Sequence, residues 1–204
     1  MRLGPAALLL ALAAAPPARA EPVLALRLGV APALGSAAGN LPMSDAVALQ
    51  FPVQVDALWR EGRIDAGLYG SWGPADAGGC ASGETCSATV WRVGAQASWT
   101  FTAGTAAPWA GLSLGWEWAS VDRSAGGTIT STFSGPELAL QGGVEWRVLP
   151  WLALGPYALV GGGQYGRYAV STPASGASAD ITDRAIHVWL DLGIRGTFTP
   201  WSRS

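Results

Sequence analysis

The sequence predicts an all-β chain: an eight-stranded antiparallel up-and-down transmembrane β-barrel with short turns at one end and longer loops at the other. Three observations predict it. Apolar and polar residues alternate strictly in one segment after another, as in strands whose two faces meet different surroundings. Charges on the polar parity balance one another, and all 12 basic residues are Arg. The connections between segments alternate short and long along the chain.

The compartment is read from the first residues. Arg2 precedes the apolar run Ala6 to Ala15, and "PPARA" ends in the small-x-small pattern of Ala18 and Ala20. A signal peptide over 1–20 is expected, with cleavage after Ala20 and one barrel domain over 21–204. The run is too short for a membrane anchor and breaks at Pro16 and Pro17. No Cys follows it, which argues against a lipoprotein. Beyond it, no segment has the roughly 20 continuous apolar residues of a membrane helix. Charged residues make up 13% of the chain and the net charge is −2, so nucleic acid is not an expected partner.

Eight segments carry the alternation. The first, 23–31, sets Leu24, Leu26, Leu28 and Val30 against Arg27. The second, 46–60, runs Val47, Leu49, Phe51, Val53, Val55, Ala57 and Trp59 outward, with Gln50, Gln54, Asp56 and Arg60 opposite. The third, 63–72, opposes Ile64, Ala66, Leu68 and Trp72 to Arg63, Asp65, Tyr69 and Ser71. The fourth, 89–101, opposes Trp91, Val93, Trp99 and Phe101 to Arg92 and Gln96. The fifth, 109–119, opposes Leu112, Leu114, Trp116 and Trp118 to Ser113 and Glu117. The sixth, 136–148, opposes Leu138, Leu140, Val144 and Trp146 to Glu137, Gln141, Glu145 and Arg147. The seventh, 151–165, has its phase blurred by Pro156 and three successive glycines. The eighth, 185–198, opposes Ile186, Val188, Leu190, Leu192, Ile194 and Phe198 to His187, Asp191, Arg195 and Thr197.

Short connections are expected at Glu61–Gly62 (with Trp59 opposite Ile64), near 102–107 and at Leu149–Pro150. Longer ones are expected at 32–45, 73–88, 120–135 and 166–184. This layout puts short turns and both termini in the periplasm and the long loops outside the cell. The polar parity then lines the interior. There Arg27, Arg60, Arg63, Arg92, Arg147 and Arg195 match Asp56, Asp65, Glu117, Glu137, Glu145 and Asp191, a lumen network in which guanidinium forks pair with carboxylates. Arg27 and Asp191 are the expected pair across the closing seam. Two aromatic belts are expected: Trp59, Trp99, Trp109, Trp146 and Trp151 beside the short turns, and Trp72, Trp91, Trp116 and Trp118 toward the long loops. Cys80 and Cys86 flank a small Gly-rich loop, and in an oxidising compartment they are expected to form a disulfide rather than a metal or redox pair.

In phase and architecture, residues 22–200 resemble the small eight-stranded outer-membrane barrels of Gram-negative bacteria, the OmpA-like and OmpW-like group. The last strand resembles their assembly signal, with Gly193 at its middle and Phe198 at its aromatic end, and departs from it by continuing through "TPWSRS". The resemblance implies an outer-membrane location, contact with membrane lipid and lipopolysaccharide, and handling by the barrel-assembly machinery. A monomer without cofactor or metal is expected. "GGGQYG" (161–166) matches a dinucleotide-binding fingerprint, but no helix follows it, so a glycine-rich strand bend is the reading taken. His187 is the only candidate general base. It lies on the inward parity with no serine within two positions, unlike the serine–histidine arrangement of lipid A deacylases, and no amphipathic helix precedes the barrel as in lipid A acyltransferases. An enzyme is therefore the lesser alternative. The long loops are mainly Gly, Ser, Ala and Thr, with Met43, Arg123 and Phe133 the few exceptions, so tight protein binding by the loops alone is not expected. A structural envelope barrel with a charge-plugged interior is the expected role, and a small pore or channel for apolar solutes the alternative.

Overall fold

The computed structural model describes residues 20–102, 104–124 and 127–199. The expected signal peptide, except Ala20, and the residues from Pro200 onward lie outside the described residues. In chain order the elements are β1 (Glu21–Ala38), β2 (Leu41–Pro42), the single helical turn α1 (Met43–Ala46), β3 (Leu49–Gln50), β4 (Val53–Glu61), β5 (Ile64–Asp76) and β6 (Thr85–Thr100). There follow β7 (Ala106–Ser124), β8 (Thr128–Leu149), β9 (Leu152–Gln164), β10 (Arg167–Ser171), β11 (Gly176–Asp180) and β12 (Ile186–Phe198).

Eight of these strands close a ring. Each of β1, β4, β5, β6, β7, β8, β9 and β12 pairs antiparallel with its neighbour in that order. β1 joins β12 from Leu24 opposite Phe198 to Gly35 opposite His187, which completes the circle. Closure follows from the alternation. One face of every strand is apolar and exposed, as at Leu26, Leu28, Leu114, Leu138 and Ile194, and the opposite face is buried.

The seventh segment, blurred in the sequence, is regular in space. Gly155, Tyr157 and Gly161 of β9 turn inward, and Leu154, Pro156, Ala158 and Val160 turn outward. The glycine run stays in the strand. At Gly163 a Cβ would come within 3.1 Å of the His187 ring and 2.7 Å of the Pro136 carbonyl, so no side chain fits there.

Four expectations are corrected. The first hairpin turns on Gly62 and Arg63, with Glu61 opposite Ile64 and Trp59 opposite Ala66. Gly62 has φ +61°, which suits the first central position of a II′-type turn. The third short turn is likewise one residue later than expected, at Pro150–Trp151. Val47 is buried rather than outward, because the chain enters β4 through α1 and a break at Phe51 and Pro52.

The fourth correction concerns the long connections, which are largely strand. β7 and β8 stay paired up to Ser124 opposite Thr128, and β10 continues along β8 with β11 outside it. Their β-branched residues favour extended chain. Both faces there are mostly polar, so the alternation that marks the ring strands fades. Hydroxyls bridge these strands instead: Ser120 with Thr132 at 3.0 Å, and Thr130 donating to Asp122 at 2.5 Å.

A compact apolar core fills the interior at this long-loop end. Val90, Val121, Phe133, Tyr165 and Trp189 meet there with alanines of β1, β6 and β7, and α1 lays Met43 and Ala46 into the mouth. Met43 and Phe133, large residues of the long connections, are part of this core. Phe133 packs between Tyr165 and Tyr168, with ring centroids 5.6 and 4.9 Å away.

Candidate functional site

Below the apolar core, the bore of the ring is filled by charge. Arg27 of β1 lies at its centre, 1% exposed. Its Nε donates to Asp56 of β4 at 2.9 Å and its Nη2 to Gln96 of β6 at 2.8 Å, while Nη1 donates to Gln141 of β8. β6 and β8 flank the strand across the ring from β1, so one guanidinium spans the lumen. Gln141 donates in turn to Gln96 at 2.9 Å, and Gln54 donates to Asp56 at 2.7 Å.

Arg195 of β12 sits directly opposite Arg27 in the pairing. Two like charges on neighbouring strands need screening, and the structure supplies it twice. Trp109 offers its ring to both guanidiniums, at 5.5 Å for Arg27 and 4.3 Å for Arg195. Asp56 lies 2.8 Å from Arg27 and 3.9 Å from Arg195. Arg195 also pairs with Glu145 at 3.1 Å, and Glu145 accepts from Thr197 at 2.7 Å.

Toward the core lies a second cluster. Arg92 Nε bridges Glu117 at 2.6 Å and Glu137 at 2.9 Å, its Nη1 donates to Gln50 at 2.8 Å, and its guanidinium rests 4.8 Å from the Trp189 ring. Glu117 also accepts from the Tyr165 hydroxyl and lies 3.2 Å from His187 Nε2. Tyr165 stacks on His187 at 4.1 Å. His187 is thus enclosed by the barrel's own side chains, 1% exposed.

At the short-turn end the bore opens into a cavity of about 320 Å³. Arg60 and Asp65 face each other on its wall through two bonds of 2.7 and 2.8 Å. Arg63 and Arg147 also line it but are exposed; Arg63 donates to the Phe101 carbonyl at 3.0 Å. These two stand apart from the buried network in which the sequence placed them.

The Arg27–Asp191 pair is not formed. Asp191 lies four residues along β12 from Arg195, the residue opposite Arg27, or about 13 Å along the strand. It accepts instead from Tyr157 at 3.0 Å. Gly29 leaves the room it needs, since a Cβ there would collide with Asp191 Oδ1.

The aromatic residues divide between the two faces. Trp72, Trp91, Trp116 and Trp118 are exposed on the outer wall toward the long loops, with Trp72 beside Trp91 at 6.2 Å. Trp99, Trp146 and Trp151 are exposed beside the short turns, and Trp59 is half-buried there. Trp151 meets Phe198 edge-on at 5.4 Å. Trp109 departs from the expected belt: it is 4% exposed, inside the ring. Its parity is that of Ser113 and Glu117, so the alternation itself pointed inward.

Gln50, Gln54, Gln96, Gln141, Tyr157, Tyr165 and Trp189 complete the interior without having been given a role from sequence; most share the parity of the charges. Cys80, in the connection between β5 and β6, is joined to Cys86, the second residue of β6, with Cα atoms 6.1 Å apart.

A closed eight-stranded ring with an apolar exterior, two outward aromatic bands and a charged interior defines the fold of the outer-membrane β-barrels. Solved structures share it. Neisserial surface protein A superposes with a TM-score of 0.54 at 19% identity, covering 84% of this chain and 95% of that one. A major outer membrane protein from Thermus thermophilus superposes with a TM-score of 0.63 at 11% identity, covering 88% of this chain and all of that one. No family model matches the chain, and no curated protein matches its sequence.

Proposed function

We propose that this chain is a structural barrel of the bacterial outer membrane, closed to ions, with its short turns in the periplasm and its long hairpins outside the cell. The observation that carries this reading is the span of Arg27, whose guanidinium bonds to β4, β6 and β8 from β1 and so crosses the bore. An eight-stranded ring has an interior just wide enough for side chains to fill. Here they do so in two layers, charged below and apolar above.

The exterior supports the membrane placement. From Trp91 to Trp99 on β6 is eight residues, about 26 Å along the strand at a rise of ~3.3 Å per residue. At the usual strand tilt of about 35–45° this is roughly 20 Å of height, close to the apolar band of about 25 Å between the aromatic girdles of a membrane barrel. Lipid and lipopolysaccharide would surround this band, and the barrel-assembly machinery would insert it. The reading takes the protein as a monomer that is not an enzyme. His187 has a packing role in it, stacked on Tyr165 with its Nε2 3.2 Å from Glu117.

Recording from the purified, refolded protein in a planar bilayer tests the closed interior. No steady ionic conductance is expected. A reproducible channel of fixed conductance would overturn the reading.

A further inference from the structure

We propose that the cavity at the short-turn end is a binding site for a small soluble oxoanion, a carboxylate or a phosphate. Its volume is about 320 Å³, at the lower end of the ~300–1,000 Å³ of small-molecule pockets. That suits a compact anion with part of its hydration shell. Its walls set charged side chains among apolar ones such as Leu149, Leu152 and Trp151, and its floor is the Arg195–Trp109 stack. It lies within the ring and opens between the turns, which favours a dissolved solute over a lipid headgroup held outside the wall.

The charges of the cavity are unevenly matched. Among the described residues that line it, Arg60, Arg63, Arg147 and Arg195 face Glu21, Asp65 and Glu145. Asp65 is taken by Arg60 and Glu145 by Arg195. Glu21 lies opposite Arg60 in the β1–β4 pairing, on the same side of the mouth. Among the described residues, no carboxylate is paired with Arg63 or Arg147, which share this cavity.

Beneath them Arg195 is 2% exposed, and its buried Nε and Nη2 make no hydrogen bond among the described residues. These donors are themselves sealed from the cavity, so Arg195 acts there through its charge, and the contacts to a bound anion fall to Arg63 and Arg147. A guanidinium fork suits a carboxylate or phosphate, and low-dielectric walls focus the field of a recessed cation toward the opening. The cluster around Arg92 has the opposite balance, with Glu117, Glu137 and Asp191 in its neighbourhood. Anion attraction is therefore confined to the short-turn end.

The test is titration of the full chain, refolded in a non-ionic detergent, with inorganic phosphate and separately with acetate, at ionic strength held constant with chloride. Saturable binding of one or both is expected, and the stronger ligand identifies the anion class. Arg63→Ala with Arg147→Ala should weaken it at least tenfold. Arg123→Ala with Arg167→Ala, at the opposite end, should leave it within twofold. The single changes Arg63→Gln and Arg147→Gln, each expected to weaken binding severalfold, serve where the double variant fails to refold. Absence of saturable binding by either anion, or equal affinity in the variants of both ends, overturns the site.

Discussion

Arg27 and Asp56 face each other across β1 and β4 at 2.8 Å, with both side chains sealed from solvent. The pair joins two strands that are neighbours in the ring but 29 residues apart in sequence. Asp56 accepts from Gln54 as well, and Arg27 reaches on to Gln96 and Gln141. Removal of the carboxylate would leave a buried guanidinium with neutral partners alone.

Asp56→Ala is therefore expected to destabilise the barrel by about 3–5 kcal/mol, the usual cost of stranding one partner of a buried pair. Asp191→Ala should cost clearly less, because its hydrogen-bonded partner is the neutral hydroxyl of Tyr157. Urea unfolding of each variant in lipid vesicles gives the comparison. Equal losses would mean that Asp56 does not anchor Arg27.

The outward face is tested by arginine at different heights. Leu112 and Leu140 sit opposite each other on β7 and β8, at 52% and 63% exposure. Leu140→Arg should cost about 2–4 kcal/mol in lipid, as for a cation placed near the bilayer midplane. Ile129→Arg, on the hairpin beyond the outer aromatic band, should cost little. Sequence parity alone suggests that Gln141→Arg is mild. The structure reverses this expectation, since Gln141 accepts from Arg27 and an arginine there would set two guanidiniums together. Folding yields in vesicles should rank Ile129→Arg well above both other variants.

The same residues show what was legible in the sequence and what was not. Strand faces were readable because a barrel wall separates two environments at every residue, so Leu140 and Gln141 differ by parity alone. Even Trp109 carried the inward parity, although nearness to a turn suggested a belt. Partner choice was hidden. Arg27 and Asp191 lie on adjacent strands, but register puts them at different heights, and register is a property of the closed ring. The extensions of β7, β8 and β10 were hidden too. Strands that rise clear of the wall meet similar surroundings on both faces, and nothing forces an alternation on them.

Cys80 and Cys86 close a loop with a sequence separation of 6 that runs from the β5–β6 connection into the outer start of β6. On the chain-entropy model so short a loop contributes about 2 kcal/mol, and its location confines the effect to that loop. Cys80→Ser with Cys86→Ser should give a barrel that folds and spans as before. Its far-ultraviolet dichroism and unfolding in urea should match the parent within that margin. Loss of folding would show that the bond staples the ring.

A tag placed at Gly79, beside this disulfide, should be labelled on intact cells, whereas a tag at Gly104, in the turn between β6 and β7, should be labelled only after the outer membrane is opened. The two positions lie at opposite ends of the ring. Labelling at Gly104 alone would reverse the orientation and turn the anion cavity toward the outside.

The apolar core makes the most demanding prediction, that the outer mouth is sealed by α1. Ala33 lies in that core at 6% exposure, beneath Met43, Ala46 and Val47 of the incoming chain. The described residues contain no free cysteine, so Ala33→Cys supplies a thiol without background. A small polar maleimide applied to intact cells should leave it unmodified. Replacing residues 42–47 by a glycine–serine segment removes the buried Met43 and Val47 side chains and should admit the reagent within minutes. The planar bilayer should stay silent even then, because the layer around Arg27 and Arg92 still crosses the bore. Labelling of Ala33→Cys in the otherwise native chain would show an open mouth. Ionic current in the uncapped chain would show that the charged layer, too, leaves a path for water and ions.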